Sequence, residues 1–159
     1  MILINGQPEN RIDVTDRGLQ YGDGVFETIA FRHGNLEFLS AHLSRLKQGC
    51  ESLKIAFPPS LQQALSDDIA QLRQSLNQNA VIKLILTRGA GGRGYRYHPD
   101  MQPTRIVSSH LMPEYPLTNQ AGVSVRICQQ RLALNPSLAG IKHLNRLEQV
   151  LARNEWQDD

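Results

Sequence analysis

Lys142 is the residue whose surroundings point most directly to chemistry. It lies between Ile141 and His143, directly after Gly140 and at the start of a predicted helix. The N-terminus of a helix carries a partial positive charge that disfavours a second cation, and partial burial would act in the same direction. Both effects would lower the pKa of Lys142 and favour the neutral amine that forms a Schiff base. The alternative, which spacing alone favours, is an ordinary solvated lysine.

Two segments contain arginines that could bind anions. Arg45 belongs to HLSRL, where a helix would place it one turn from His42, and its guanidinium fork can bind a phosphate dianion. Arg88, Arg93 and Arg96 belong to TRGAGGRGYRY, a glycine-rich cationic loop suited to capturing a carboxylate. The alternatives are a solvated helix face for Arg45 and an arginine–glycine nucleic-acid segment for the loop.

A further glycine-rich segment, YGDGVFET, covers residues 21–28. Its glycines permit close approach of the backbone to another group. Its spacing matches neither the dinucleotide-binding fingerprint nor the phosphate-binding P-loop. The alternative is a tight turn between two strands.

Composition limits the classes of protein that need to be considered. The 159 residues are 40% hydrophobic and 20% charged, which argues against wholesale disorder. No apolar run approaches the roughly 20 residues that span a bilayer, and the N-terminus does not resemble a secretory signal. The net charge of +2 gives little support to nucleic acid or an anionic membrane as partner. Two cysteines without metal-ligand spacing are typical of reduced thiols in the cytoplasm.

Turn signals and apolar spacing predict the elements that must position these residues. Asn5-Gly6 is a strong hairpin signal between a first strand at 1–4 and a return strand at 11–14. Apolar residues at helical spacing follow Ser40 and Ser60, and serine is a residue type that caps helices. A structured loop is expected at 16–24, strands at 25–31, 36–38, 80–87, 104–111 and 122–128, and helices at 41–54, 61–76 and 143–157.

The order of these elements predicts two units. Residues 1–112 form an α+β domain, and residues 113–122, which are polar and contain two prolines, form a linker. Residues 123–159 would then hold one strand, one loop and one helix. A single strand cannot satisfy its own hydrogen bonds, so this second unit is expected to be incomplete and the chain truncated. The alternative is that this strand and helix pack back onto the first domain.

Five segments together resemble the fold-type IV pyridoxal-phosphate (PLP) enzymes, the class IV aminotransferase family. They are LINGQ, DRGLQYGDGVFET, SAHLSRL, TRGAGGRGY and NPSLAGIKHLNRLEQVLAR, which occur in the family's order and reach residue 153. Each segment alone is weak, whereas five in order are specific. The strings GGRGY and AGIKHLNRLEQV favour the aminodeoxychorismate lyases over the branched-chain and D-amino-acid aminotransferases of this family.

The resemblance implies roles for individual residues. Lys142 matches the lysine that is linked covalently to PLP and then moves protons, and Arg45 matches the arginine that binds the cofactor phosphate. Arg93 falls where relatives bind a substrate carboxylate, often in the neighbouring subunit of a homodimer, and Arg88 is a second choice. Phe26 falls where D-amino-acid aminotransferases carry a tyrosine, which argues against that activity. The family's partner for the pyridine nitrogen belongs to a part that this chain does not contain.

The implied activity is conversion of 4-amino-4-deoxychorismate to 4-aminobenzoate and pyruvate, a step of folate synthesis. The substrate is a small molecule, and neither nucleic acid nor a membrane is expected to bind. One alternative is an aminotransferase for a branched-chain or D-amino acid on the same scaffold. The other is an inactive truncated fragment that serves only as a folded or interaction module.

Overall fold

The computed structural model describes residues 1–114 and 122–156, within which six strands form one antiparallel sheet. In chain order the elements are β1 (Ile2–Ile4), β2 (Gln7–Pro8), α1 (Arg17–Tyr21), β3 (Gly24–Arg32), β4 (Asn35–Leu36), α2 (Leu39–Ser52), α3 (Pro59–Gln74), β5 (Ala80–Thr87), β6 (Thr104–Leu111) and α4 (Leu147–Arg153). The strand order across the sheet is β2-β1-β6-β5-β3-β4. An antiparallel sheet with helices confirms the predicted α+β class.

The core lies between the sheet and the two long helices. Strands β5 and β6 begin and end at the predicted residues, and alternation along β3 and β5 turns every second side chain towards α2 and α3. Each fully buried leucine or isoleucine contributes roughly 2 kcal/mol. The buried apolar side chains include Leu3, Ile29, Phe31, Leu46, Leu65, Ile69, Leu72, Ile82, Leu84, Leu86 and Val107.

The first hairpin is confirmed, but its return strand was predicted at the wrong place. Asn5 and Gly6 both have positive φ, of 51° and 82°, as a two-residue hairpin turn requires. Such a turn pairs the residues directly beside it, so Ile4 lies opposite Gln7 and Leu3 lies opposite Pro8. Residues 11–14 therefore form no strand.

Three local predictions for the helices were wrong. Helix α2 begins at Leu39 after Phe38, which has a left-handed φ of 53°, and α3 begins at Pro59, so neither Ser40 nor Ser60 is the N-cap. Proline is favoured at the first helical position because its missing N–H would lack a partner there anyway. The expected loop at 16–24 contains the short helix α1, whose N-cap Asp16 accepts a hydrogen bond from the Gly18 N–H.

The C-terminal segment differs most from expectation. Residues 122–128 form no strand, and Val125 and Ile127 are 85% and 97% exposed, because no described strand lies beside them to complete a ladder. Helix α4 covers 147–153 rather than 143–157. Most of the predicted linker, residues 115–121, lies outside the described residues, as do residues 157–159. The division into domains therefore stays a prediction.

No helix among the described residues combines the length and hydropathy needed to cross a bilayer.

Candidate active site

The segment that contains Lys142 is attached to the edge of β3. The N–H of Phe26 donates to the carbonyl oxygen of Lys142, and the N–H of Leu144 donates to the carbonyl oxygen of Gly24, both at 2.9 Å. These bonds use the half of the β3 edge that β4 leaves free, since β4 pairs only with the last two residues of β3. The main chain of Lys142 is therefore held by sheet-type hydrogen bonds.

Close packing at this edge requires glycine at position 24. A Cβ atom on Gly24 would lie 2.5 Å from the carbonyl oxygen of Leu86 and 2.8 Å from Cδ1 of Leu144. Neither distance is compatible with van der Waals contact, and the first involves the backbone of β5. Gly24 of the YGDGVFET segment thus allows β5 and the segment that contains Leu144 to approach β3 closely, as its residue type permits.

Alternation along the attached segment decides where Lys142 points. Ile141 packs against the apolar cluster that contains Val25, whereas the Nζ atom of Lys142 lies 4.2 Å from the ring centroid of Phe26. Phe26 and Val25 are neighbours on β3 and face opposite sides of the sheet. Lys142 and Ile141 follow the same alternation, so the amine lies against an aromatic ring.

The predicted placement of Lys142 at a helix start was wrong, although its pKa is lowered. Helix α4 begins at Leu147, so a helix dipole does not act directly on the amine. Burial is the largest cause of the lowered pKa of Lys142, and the charges of Arg146 and Arg45 add to it. The carboxylate of Glu27 opposes them, but the net direction favours a neutral amine.

An open cleft of about 530 Å³ lies in front of this amine. Phe26 and Lys142 form one wall, and α4 with its flanking residues forms the other. The guanidinium carbon of Arg146 lies 5.5 Å from the Phe26 ring centroid. The cleft therefore offers the Lys142 amine, an aromatic face and the guanidinium of Arg146 to an anionic aromatic molecule. Its lining residues are Phe26, Lys142, Arg146, Gln149, Val150, Arg153 and Asn154.

Glu27 is a residue of this site that the sequence interpretation missed. Its side chain is completely buried on the helix-facing side of β3, where it accepts hydrogen bonds from Arg45 Nε (2.7 Å) and Nη2 (2.6 Å) and contacts His42 Nδ1 at 2.7 Å. Burial alone would raise the pKa of Glu27, but the hydrogen bonds from Arg45 and His42 outweigh it and lower the pKa. An acidic residue at an inward position of an otherwise apolar strand was the available signal.

Arg45 lies on α2, half exposed, with Nε and Nη2 bonded to Glu27, which raises its pKa further. It lines a cleft of about 340 Å³ together with Gly49 and residues 139–141. A Cβ on Gly49 would lie 2.9 Å from Cγ1 of Val25, so glycine allows α2 to approach β3 closely here. Lys142 and Arg45 therefore line two different clefts, which are separated by the segment 139–142.

Arg88 is occupied by contacts within the protein. It is buried, donates through Nε and Nη2 to Asp23 at 2.7 and 3.0 Å, and donates to the carbonyl oxygens of Leu53 and Lys54. Its guanidinium carbon also lies 3.8 Å from the ring centroid of Tyr97. Because these contacts use most of its donors, the structure does not favour Arg88 as a substrate anchor.

Arg93 is exposed in the loop between β5 and β6. It is not among the described residues that line the clefts of Lys142 and Arg45. The structure thus places Arg45 in direct contact with Glu27, and the charges of both residues act on the pKa of Lys142. Arg93 lies outside the two clefts that Lys142 and Arg45 line.

The fold and the lysine at the edge of its sheet define a known class. Residues 24–159 match the family model of the class IV amino-transferases, and the chain belongs to this family. Aminodeoxychorismate lyase from Vibrio harveyi is 39% identical over 159 residues, covering 98% of this chain and 56% of that protein. These matches confirm the resemblance that the five segments predict.

Solved structures extend the comparison. The 4-amino-4-deoxychorismate lyase of Pseudomonas aeruginosa matches with a TM-score of 0.91 and 46% identity, over 99% of this chain and 57% of that one. The PLP-bound form of a hypothetical aminotransferase from Mycobacterium tuberculosis matches with a TM-score of 0.57 and 27% identity, over 71% and 40%. The chain spans about half the length of the relatives that it matches over nearly all of its own length.

Proposed function

We propose that the protein is a PLP-dependent 4-amino-4-deoxychorismate lyase that releases 4-aminobenzoate and pyruvate. The observation that supports this most is the position of Lys142, whose main chain is hydrogen-bonded to the β3 edge and whose amine lies beside Phe26 and faces an open cleft. The lyases of Vibrio harveyi and Pseudomonas aeruginosa match nearly the whole chain. The reaction supplies the aromatic ring of a folate precursor.

The surroundings of Lys142 fit the cofactor. Lys142 combines a lowered pKa with a cleft of about 530 Å³, and it would hold PLP covalently. The family resemblance assigns the cofactor phosphate to Arg45, which lines a second cleft beside Gly49, so this role rests on the resemblance and not on a shared cleft. When bound, PLP supplies an electron sink that no protein side chain provides.

The residues of this chain supply the proton transfer and the orientation. The Nζ of Lys142 can accept a proton from a substrate carbon and return it elsewhere, and the lowered pKa of this amine favours its unprotonated form. The Phe26 ring excludes water from one side of that amine. Glu27 holds Arg45 through two hydrogen bonds, which restricts the guanidinium to one orientation.

Phe26 favours a lyase over a D-amino-acid aminotransferase. The amine of Lys142 faces an aromatic ring without a hydroxyl, at the position where D-amino-acid aminotransferases carry a tyrosine. A phenylalanine offers no proton donor or acceptor there.

The proposal includes a homodimer in the cytoplasm. Arg93 is exposed and is not among the described residues that line the clefts of Lys142 and Arg45, which suits an anchor for a substrate carboxylate in the neighbouring subunit. Both cysteines are free thiols, and Cys50 is buried, as is usual for proteins of a reducing compartment.

Borohydride reduction of the native protein with PLP tests the cofactor assignment. We expect a stable adduct on Lys142, located by peptide mass mapping, and no adduct at that site in Lys142→Ala. Lys83→Ala is the matched control, because the Lys83 amine lies 5.9 Å from the same Phe26 ring centroid. An unmodified Lys142 in the wild type would contradict the assignment.

Pyruvate release from aminodeoxychorismate tests the reaction. The lyase releases pyruvate, whereas an aminotransferase transfers the amino group of a branched-chain or D-amino acid to a 2-oxo acid. Arg45→Ala is expected to weaken PLP affinity more than turnover at saturating PLP. Unchanged PLP affinity in that variant would refute the phosphate role of Arg45.

A further inference from the structure

Arg17 is a buried arginine that binds the main chain of the loop containing Arg93. Its Nη1 donates to the carbonyl oxygen of Gly94 at 2.8 Å, and its Nη2 donates to that of Tyr95 at 3.1 Å. These carbonyls belong to the two residues directly after Arg93. The Arg17 side chain is only 4% exposed, so water competes little for these hydrogen bonds.

Tyr21, which lies on α1 together with Arg17, also binds the main chain of Gly94. Its hydroxyl oxygen accepts a hydrogen bond of 3.1 Å from the N–H of Gly94. Its ring meets the ring of Tyr95 edge to face, with centroids 5.8 Å apart, and lies 4.7 Å from the guanidinium carbon of Arg17. The N–H and the carbonyl group of Gly94 are therefore both bound by residues of α1.

Asp23 orients the guanidinium of Arg17. Its Oδ2 accepts from Arg17 Nε at 3.0 Å and from Arg88 Nε at 2.7 Å. Because Nε is bonded to Asp23, the planar fork directs Nη1 and Nη2 towards the loop. The carboxylate thus connects the helix α1, the end of β5 and the loop.

Arg93 itself needs this external restraint. It stands between Gly92 and Gly94, and glycine has more backbone freedom than any other residue. A Cβ on Gly92 would meet no atom within 4 Å, whereas the N–H of Gly91 before it donates to the carbonyl oxygen of Thr15 at 3.2 Å. On the other side of Arg93, the loop is held by the contacts of Arg17 and Tyr21 with the residues that directly follow it.

We propose that Arg17 is a positioning residue that fixes the main chain beside Arg93, so that the Arg93 side chain meets a substrate carboxylate in a preset position. The inference rests on the proposed function, because it takes Arg93 as the carboxylate-binding residue. A loop that is ordered in advance loses less conformational entropy when the anion binds. Its effect therefore falls on KM for the substrate.

Arg17→Lys in the native protein tests the proposal. Lysine keeps the charge but has one nitrogen, which cannot serve Asp23 and both carbonyl groups as the fork does. We expect KM for aminodeoxychorismate to rise about tenfold while kcat changes less than about twofold. In an Arg93→Ala background the same substitution is expected to leave KM unchanged, because Arg17 acts through Arg93. Arg32→Lys, in an exposed ion pair with Glu37, is the matched control.

Trypsin cleavage after Arg93 measures the loop without an activity assay. Arg17→Lys is expected to speed this cleavage about fivefold or more over the wild type and Arg32→Lys. Tyr21→Phe removes only the hydroxyl that binds Gly94 and gives a milder change in the same direction, should Arg17→Lys fold poorly.

The outcomes separate this proposal from the proposed function. Unchanged cleavage after Arg93 overturns the proposal, and so does faster cleavage with an unchanged KM. A wild-type protein that releases no pyruvate refutes the proposed function and the substrate part of this inference. The proteolysis result then still decides whether Arg17 restrains the loop.

Discussion

The N–H of Phe26 donates a hydrogen bond of 2.9 Å to the carbonyl oxygen of Lys142, and this bond fixes the main chain that carries the Lys142 amine. Because the bond is of sheet type, the side chains of the two residues emerge on the same side of β3, where the amine lies 4.2 Å from the ring centroid. The position of Lys142 therefore depends on the regular backbone of β3.

Gly24→Ala should disturb this attachment. The added Cβ would lie 2.5 Å from the Leu86 carbonyl oxygen and 2.8 Å from Leu144 Cδ1, so the backbone must shift. We expect the free energy of unfolding in urea to fall by about 2 kcal/mol. The yield of the reduced PLP adduct on Lys142 should fall as well. Gly92→Ala, where a Cβ meets nothing within 4 Å, should leave both measurements at the wild-type level.

Glu27→Gln should weaken the fold at neutral pH and change its dependence on acid. Glu27 is fully buried and its pKa lies below the ordinary value of 4.5, because hydrogen bonds from Arg45 and His42 outweigh burial. Loss of these charge-assisted bonds should cost about 2 kcal/mol in urea unfolding at neutral pH.

The sign of the acid effect follows from the lowered pKa of Glu27. Its stabilising contribution is fully present above 4.5 and is lost as the pH falls through the lower pKa of the folded state. Unfolding free energies measured between about pH 6 and about pH 3 should therefore decline less steeply in Glu27→Gln than in the wild type. Glu37→Gln, in an exposed ion pair, should retain the wild-type slope. Identical slopes in all three proteins would contradict the role of Glu27.

The reactivity of Lys142 should depend on two neighbouring charges of opposite sign. Its pKa is lowered by burial, raised by Glu27 and lowered by Arg146. Borohydride trapping of PLP on Lys142 at a series of pH values should therefore reach half its maximum at higher pH in Arg146→Ala and at lower pH in Glu27→Gln. Shifts of the same sign in the two variants would show that these charges do not control the amine.

The two cysteines should differ in reactivity. Burial, followed by the charge of Glu51, raises the pKa of the Cys50 thiol to about 12, and its side chain is completely buried. Alkylation of the native protein at about pH 8 should therefore modify Cys128, which is partly exposed, while Cys50 reacts only in denaturant. Peptide mapping by mass spectrometry distinguishes the two sites, and rapid native modification of Cys50 would contradict its burial.

Elements that are set by their own residues were predicted well, and elements that depend on a neighbouring strand or on chain register were not. Strands β5 and β6 were predicted to the residue because each lies between segments rich in polar residues, glycine or proline, which mark turns and loops. The return strand at 11–14 was wrong because the hairpin register pairs residues 7 and 8 with β1, and the cap at Ser60 was wrong because Pro59 takes the first helical position. The cap at Ser40 was wrong because α2 begins one residue earlier, at Leu39. The strand at 122–128 failed because a strand needs a neighbour, which local sequence does not supply.

The sequence by itself determined the α+β class and the family, since turn chemistry, apolar periodicity and motif order are properties of neighbouring residues. It also predicted, from the resemblance, the lysine and the arginines of the proposed site. Only the tertiary structure decided that Lys142 lies on the edge of β3 rather than at a helix start. It also decided that Glu27 binds Arg45, and that Arg88 belongs to a buried ion-pair network with Asp23. These are contacts between residues far apart in the chain, and they depend on how the sheet and helices pack.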